Sequence, residues 1–219
     1  MGDFDLQRVL LSLPILLLSL TAHEFAHAWV ALKQGDDTAY MLGRVTLDPR
    51  AHLDPIGSLL FPIIAIGSGL PLLGWAKPVP TNSRKYRHYR RGDILVSIAG
   101  VTANLILAIL FALVLIPIAW SAASDAPGPL NTLRDMCALG VAGNVGLIFF
   151  NLLPIPPLDG SHVFYHLLPP KLGASYRQLY PYGMLILWGM VLLGGFSFLS
   201  PLIYGVANLL VWPSGLRFD

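Results

Sequence analysis

Charge is scarce in this chain. Only 12% of its 219 residues are Asp, Glu, Lys or Arg, against about 25% in an ordinary soluble domain. The formal net charge is +2, too small for the basic surface that a nucleic-acid partner requires, so none is expected. One cysteine is present, Cys137, which excludes an internal disulfide and a cysteine-based zinc site. Internal repeats and low-complexity tracts are lacking. So is a basic n-region ahead of the first apolar run, and that run continues through the histidines into Val30 and Leu32. The N-terminus therefore reads as a retained span and not as a signal peptide.

What the chain has in abundance is apolar sequence, at 55% hydrophobic residues. Its length and clustering point to an integral membrane protein with no sizeable soluble domain. The pattern predicts an all-α polytopic membrane protein with a core of three transmembrane helices, at about 8–33, 94–120 and 137–153. Gly35 is the expected stop of the first, and Pro14 lies within it. The segment "YMLGRVTLD" has strand-like content. Pro55 to Pro80 is apolar but interrupted by Pro62, Gly67, Gly69 and Pro71. It reads as a re-entrant or extended segment at about 55–80, with "GWAKPVP" as an extended return strand. "SDAPGPLNTLRD" reads as a polar loop and "PIPPLDGSHVFYHLLPPKLGASYRQLYP" as a Pro-rich connection. One or two membrane helices follow at about 180–212, broken near Gly194–Gly195 and Pro201. Residues 1–219 are expected to form a single membrane-embedded domain, with a catalytic core at about 8–168. The run Arg84, Lys85, Arg87, Arg90, Arg91 places its loop on the cytoplasmic side by the positive-inside rule.

The chemistry stands in "HEFAH". His23 and His27 are four residues apart, so on a helix they share a face, one turn apart. Two imidazoles so placed can bind one zinc, and Glu24 beside them can take a proton from water, the H-E-x-x-H arrangement of zinc proteases. Three ionisable groups inside a span are costly and mark a functional site; the competing reading is polar packing between helices. An open catalytic zinc site needs a third protein ligand. Asp159 in "NLLPIPPLDGSH" is the first candidate, because it directly follows a span exit and Gly160 permits a sharp turn. His162 and His166 are its rivals, and a helix N-cap or turn aspartate is its structural alternative. Asp48, His52 and Asp54 read as loop residues. His23 and His27 lie near the exit of the first span, so Asp159 meets them only if both exits are on one side. A re-entrant 55–80 segment satisfies that condition.

Three motifs, "HEFAH" at 23–27, "AGVTAN" at 99–104 and "NLLPIPPLDG" at 151–160, make the chain resemble the site-2 proteases, the zinc intramembrane metalloproteases. The resemblance covers about residues 8–168 and implies roles for particular positions. His23, His27 and Asp159 would ligate one zinc ion per chain, with Glu24 the general base. Asn151 would help hold the substrate backbone. Gly100 and Asn104 would belong to the packing of the core spans. Gly74, Trp75, Ala76, Lys77, Pro78 and Val79 would form the edge element that pairs with an unwound substrate segment. The implied substrate is a single-span membrane protein, cleaved within the lipid bilayer of the cell membrane by a multi-pass enzyme whose active site faces the cytoplasm. Two positions depart from the family pattern: Val101 stands where many relatives have proline, and His162 where arginine is frequent. Neither a PDZ-like insert nor a regulatory domain is expected, so the chain reads as a minimal member. An inactive scaffold of the same family is the alternative, although Glu24 is unnecessary for binding alone. A zinc transporter is a further alternative, although its ligands would sit at more than one depth.

Overall fold

The computed structural model describes residues 6–67, 74–121 and 128–218. Backbone amides in lipid have no water to bond, so each apolar segment satisfies its own as helix. In chain order the helices are α1 (Leu6–Gln34), α2 (Thr38–Met41), α3 (Phe61–Gly67), α4 (Tyr89–Ser121), α5 (Pro129–Asn151), α6 (Asp159–Leu167), α7 (Pro170–Arg177), α8 (Gly183–Leu192) and α9 (Ser200–Val211). No strand forms among the described residues. Helices α1, α4 and α5 are long and apolar enough to cross a membrane. At 23 residues α5 is the shortest of these, yet at 1.5 Å per residue it spans about 35 Å, more than a hydrocarbon core of about 30 Å.

Helix α4 shows which side meets lipid. Leu105, Ile106, Ile109, Leu110, Leu113 and Val114 lie exposed on one helical face, an apolar stripe too continuous for a water-facing surface. The opposite face buries Ala108, Ala112 and Leu115 against Cys137, Val141 and Val145 of α5 and Ala207 and Val211 of α9. Small residues at this contact let the helix backbones approach closely. Helices α8 and α9 belong to two arms, Pro170–Leu192 and Ser197–Ser214, bent by 76°, with Gly194 at φ +67° in the break.

Between α1 and α4 the chain leaves the bundle and returns. Gly35 ends α1 at φ +106°. Buried Asp36 accepts hydrogen bonds from Thr38 and, at 2.6 Å, from the Asn82 N–H. Lys85 pairs with Asp37; its ammonium group holds the Asp37 carboxyl below the usual range, and Lys85 is raised in turn. Downstream, the Asp54 carboxylate accepts from the N–H groups of Ile56 and Gly57. It thereby caps a π-helical stretch, Pro55–Leu60, that runs into α3. Residues 68–73, the apex of the expected re-entrant segment, lie outside the described residues. From Gly74 the chain lies beside its own start. The Trp75 N–H donates to the Gly57 carbonyl (3.1 Å), the Ser58 hydroxyl to the Trp75 carbonyl (2.8 Å) and the Lys77 N–H to the His52 carbonyl (2.9 Å). Trp75 packs against Phe61 and Trp188 at ring separations of 5.5 and 6.0 Å. The two limbs are therefore neighbours at one level.

Several local expectations are corrected. "YMLGRVTLD" is the end of α2 followed by turns. The return limb has no ladder partner among the described residues. Helix α4 starts five residues before Ile94, and α5 starts at Pro129 and stops at Asn151. Proline at the first helical position supplies a preset φ and loses no hydrogen bond there, so polar "NTLRD" is helical. The same device starts α7 at Pro170, and the Pro-rich connection holds two helices.

Candidate active site

Helix geometry brings His23 and His27 onto one face of α1. Asp159 meets them from the first position of α6. Its Oδ2 lies 3.2 Å from His23 Nε2 and 3.3 Å from His27 Nε2, and the two Nε2 atoms are 2.9 Å apart. Leu158, not Asp159, is the N-cap of α6, and Asp159 makes no capping bond. The N-cap alternative for Asp159 therefore does not describe this chain. Gly160 serves a different purpose from the sharp turn expected of it. Its φ is not positive. A Cβ there would lie 2.2 Å from the Leu152 carbonyl oxygen, so glycine permits α6 to start hard against the end of α5, and this close approach delivers Asp159.

The far sides of the imidazoles decide the protonation of the near sides. His23 Nδ1 faces Asn104 Oδ1 at 2.6 Å, and His27 Nδ1 faces the Val96 carbonyl at 2.7 Å. Both oxygens only accept, so each neutral ring carries its proton on Nδ1 and presents an Nε2 lone pair. Two lone pairs and a carboxylate oxygen then converge within about 3.3 Å of one another. Such a set repels itself unless a cation lies between its members. Asp159 Oδ2 is buried and has no hydrogen-bond partner. Gly100 of α4 forms the wall: a Cβ there would come within 2.5 Å of His27 Nε2 and of His23 Cε1. His23, His27 and Asp159 form the one group among the described residues with metal-ligand geometry. Nitrogen and oxygen donors backed by carbonyl and amide acceptors fit zinc.

Glu24 Oε2 accepts a hydrogen bond from the Val79 N–H at 2.8 Å, so the return limb touches the glutamate directly. Within that limb, Ala76 and Val79 are buried while Lys77 and Pro78 are exposed. The carbonyls of Lys77 and Pro78 accept from Arg44 at 2.7 and 3.5 Å. Gly74 packs on the Gly57 carbonyl, and Trp75 is a packing anchor. Asn151 ends α5 with its amide nitrogen donating to the Leu147 carbonyl of its own helix.

His162 and His166, the rival ligands, are engaged elsewhere: His166 Nε2 lies 2.8 Å and His162 Nδ1 3.4 Å from Asp93 Oδ2 of α4. A cavity of about 260 Å³ adjoins this cluster, lined by Asp93, His162, Tyr165 and Arg177 among others. Asp48 and Asp54 cap helical turns, and His52 Nε2 pairs with the Thr46 carbonyl. Sequence reasoning missed the Val96 carbonyl, the contact of Gly100 with the imidazoles and the whole of Asn144. Backbone groups leave no residue signature, while "GN" at 143–144 is unremarkable inside an apolar span.

Compared with known proteins, the chain is 40% identical over 199 residues to "Putative zinc metalloprotease YwhC" of Bacillus subtilis, covering 90% of this chain and 82% of that one. The chain belongs to this zinc metalloprotease family. Two other relatives share fewer identical residues with the chain. "Putative zinc metalloprotease Rip2" of Mycolicibacterium smegmatis is 33% identical over 171 residues, 78% of this chain and 62% of the relative. The protein of the same name in Mycobacterium tuberculosis is 34% identical over 193 residues, 86% and 66% of the two chains. No family model and no solved structure matches the chain. Membership of this family and the apolar helices long enough to span a membrane together support a membrane zinc protease.

Proposed function

We propose that the chain is a zinc-dependent intramembrane endoprotease of the site-2 protease type, cutting a peptide bond within or near a transmembrane segment of a single-span membrane protein. The observation that carries this reading is the convergence of His23 Nε2, His27 Nε2 and Asp159 Oδ2 on one buried point of the first spanning helix, beside Glu24. These three side chains would hold one zinc ion per chain. Bound zinc supplies a Lewis acid that makes water a nucleophile near pH 7 and polarises a carbonyl.

Glu24 is the general base: its carboxylate takes the proton of the attacking water and returns it to the leaving amine as the C–N bond breaks. The Val79 N–H holds one carboxylate oxygen; the other accepts no hydrogen bond among the described residues and is the one for proton transfer. A transmembrane helix hides its carbonyls in its own hydrogen bonds, so it must unwind before attack. Gly74–Val79 is the element to receive it. Trp75 and Lys77 direct both their N–H and C=O groups to protein partners. Backbone groups alternate sides along an extended chain, so those of Ala76, which make no such bond among the described residues, face the other way, the side on which a substrate strand would pair. Asn151, at the end of α5, is assigned to the substrate backbone near the scissile bond. Arg84, Lys85, Arg87, Arg90 and Arg91 set the loop before α4, and with it the site, on the cytoplasmic side of the cell membrane.

Metal analysis of detergent-purified protein, beside cleavage of a single-span substrate in proteoliposomes, tests the reading. About one zinc per wild-type chain, lost in Asp159→Ala, is expected for a three-ligand site. Glu24→Gln should keep zinc and abolish cleavage. Zinc held unchanged by Asp159→Ala, or cleavage at the wild-type rate by Glu24→Gln, would refute the assigned roles.

A further inference from the structure

Asn144 lies in the middle of α5, fully buried, and the proposed chemistry gives it no task. It is the far member of a chain of side chains that crosses three helices. Its Nδ2 donates to the Gly140 carbonyl, one turn back on α5, at 2.8 Å. Its Oδ1 accepts from Asn104 Nδ2 of α4 at 2.9 Å. The same Asn104 Nδ2 lies 3.4 Å from the Ser19 carbonyl of α1, and Asn104 Oδ1 is the 2.6 Å partner of His23 Nδ1. Asn104 and Asn144 are both wholly inaccessible to solvent, so water offers no substitute partners.

The direction of this chain is fixed chiefly from its outer end, the longer contact of Asn104 Nδ2 with the Ser19 carbonyl favouring the same orientation. A backbone carbonyl cannot donate, so the Gly140 oxygen obliges Asn144 to turn its NH₂ toward it. The Asn144 oxygen must then face Asn104. Asn104 answers with its own NH₂, which leaves its oxygen for His23. An amide flip at Asn104 would place NH₂ against NH at one end and oxygen against oxygen at the other. In the flipped state His23 Nδ1 would have to accept, its proton would move to Nε2, and the lone pair aimed at Asp159 and His27 would be gone.

We propose that Asn144, acting through Asn104, is a positioning residue that holds His23 in the tautomer able to ligate metal. The inference rests on the zinc-site reading above. Its mechanism is polarity and not bulk: Gly140 sets Asn144, Asn144 sets Asn104, and Asn104 sets the imidazole. A consequence separates it from a packing role. Aspartate at position 104 has two accepting oxygens and no NH₂, so His23 Nδ1 would have to donate whatever occupies position 144.

The test is zinc affinity in detergent, measured by competition with a chromogenic chelator. It compares wild type, Asn144→Leu, Asn144→Ala, His23→Ala and the double variant Asn104→Asp/Asn144→Leu, with thermal unfolding of each metal-free protein alongside. Loss of a partner behind a ligating histidine weakens metal binding about 10- to 100-fold. Asn144→Leu and Asn144→Ala are expected at the low end of that range, with the double variant returning to within about threefold of wild type. Wild-type affinity in both single variants would overturn the proposal, as would a double variant no better than Asn144→Leu. If Asn144→Leu does not fold, Asn144→Ala and its own double with Asn104→Asp decide by the same two criteria. Failure of the underlying reading looks different: wild type and His23→Ala would then bind zinc equally, or neither would bind it.

Discussion

The Val79 N–H donates to Glu24 Oε2 across 2.8 Å, linking the return limb of the 55–80 segment to the glutamate of the first span, 55 residues away in sequence. The contact fixes one carboxylate oxygen and, in the proposed mechanism, leaves the other for proton transfer. Val79→Pro, which removes the donor, should lower kcat about tenfold or more, the scale of a hydrogen bond to a charged group, while zinc content stays at the wild-type level. Val79→Ala keeps the N–H and serves as the control. Single-turnover cleavage in proteoliposomes reads the difference; equal rates for the two variants would remove the tether from the mechanism.

Gly100 is expected to tolerate nothing larger. In Gly100→Ala the new methyl would lie 2.5 Å from His27 Nε2, inside the ligand set. Alanine is otherwise the better helix former, by about 1 kcal/mol. Metal content should nevertheless fall sharply, and the metal-free protein should unfold earlier as well, because the methyl crowds both imidazoles with or without a metal. Gly143→Ala in α5 is the matched control, because nothing lies within 4 Å of its Cβ. Inductively coupled plasma analysis beside thermal unfolding distinguishes the two variants.

Asp93 braces the helix that carries Asp159. Its carboxylate holds His166 at 2.8 Å and His162 at 3.4 Å, both on α6, and the neighbouring Arg90 donates to the His166 carbonyl. Asp93→Leu should destabilise the fold by about 2 kcal/mol, the scale of a charge-assisted hydrogen bond in a partly buried site, and loosen zinc with it. Asp93→Asn, which can still accept from one histidine, should lose less. Unfolding in detergent with and without added zinc measures both effects.

Gly57 and Trp75 lock the two limbs together. A Cβ at residue 57 would fall 2.3 Å from the indole, and the Trp75 backbone is tied on both sides. Gly57→Ala should displace the return limb and reduce cleavage while sparing zinc. Combining it with Trp75→Ala should recover part of the activity. Hydrogen exchange of residues 74–79, read by mass spectrometry, should rise in Gly57→Ala; unchanged exchange would show that the limb is held elsewhere.

Much of this protein was already determined by its sequence. Long apolar runs forced helices, because lipid offers backbone amides no other partner. The four-residue spacing of His23 and His27 forced them onto one face, because an α-helix repeats every 3.6 residues. Other features were decided only in three dimensions. Asp159, and not His162 or His166, meets His23 and His27 because Gly160 lets α6 begin against Leu152, whereas both other histidines turn to Asp93. Helix α7 formed inside a Pro-rich stretch because Pro170, at its first helical position, loses no bond, while α6 starts only after the first prolines, at Asp159. The lone pair on His23 depends on Asn104 and Asn144, which come from two other helices, and on the backbone of Gly140. Hydrogen-bond polarity passes through contacts in space, so no reading along the chain could have joined residues 23, 104 and 144.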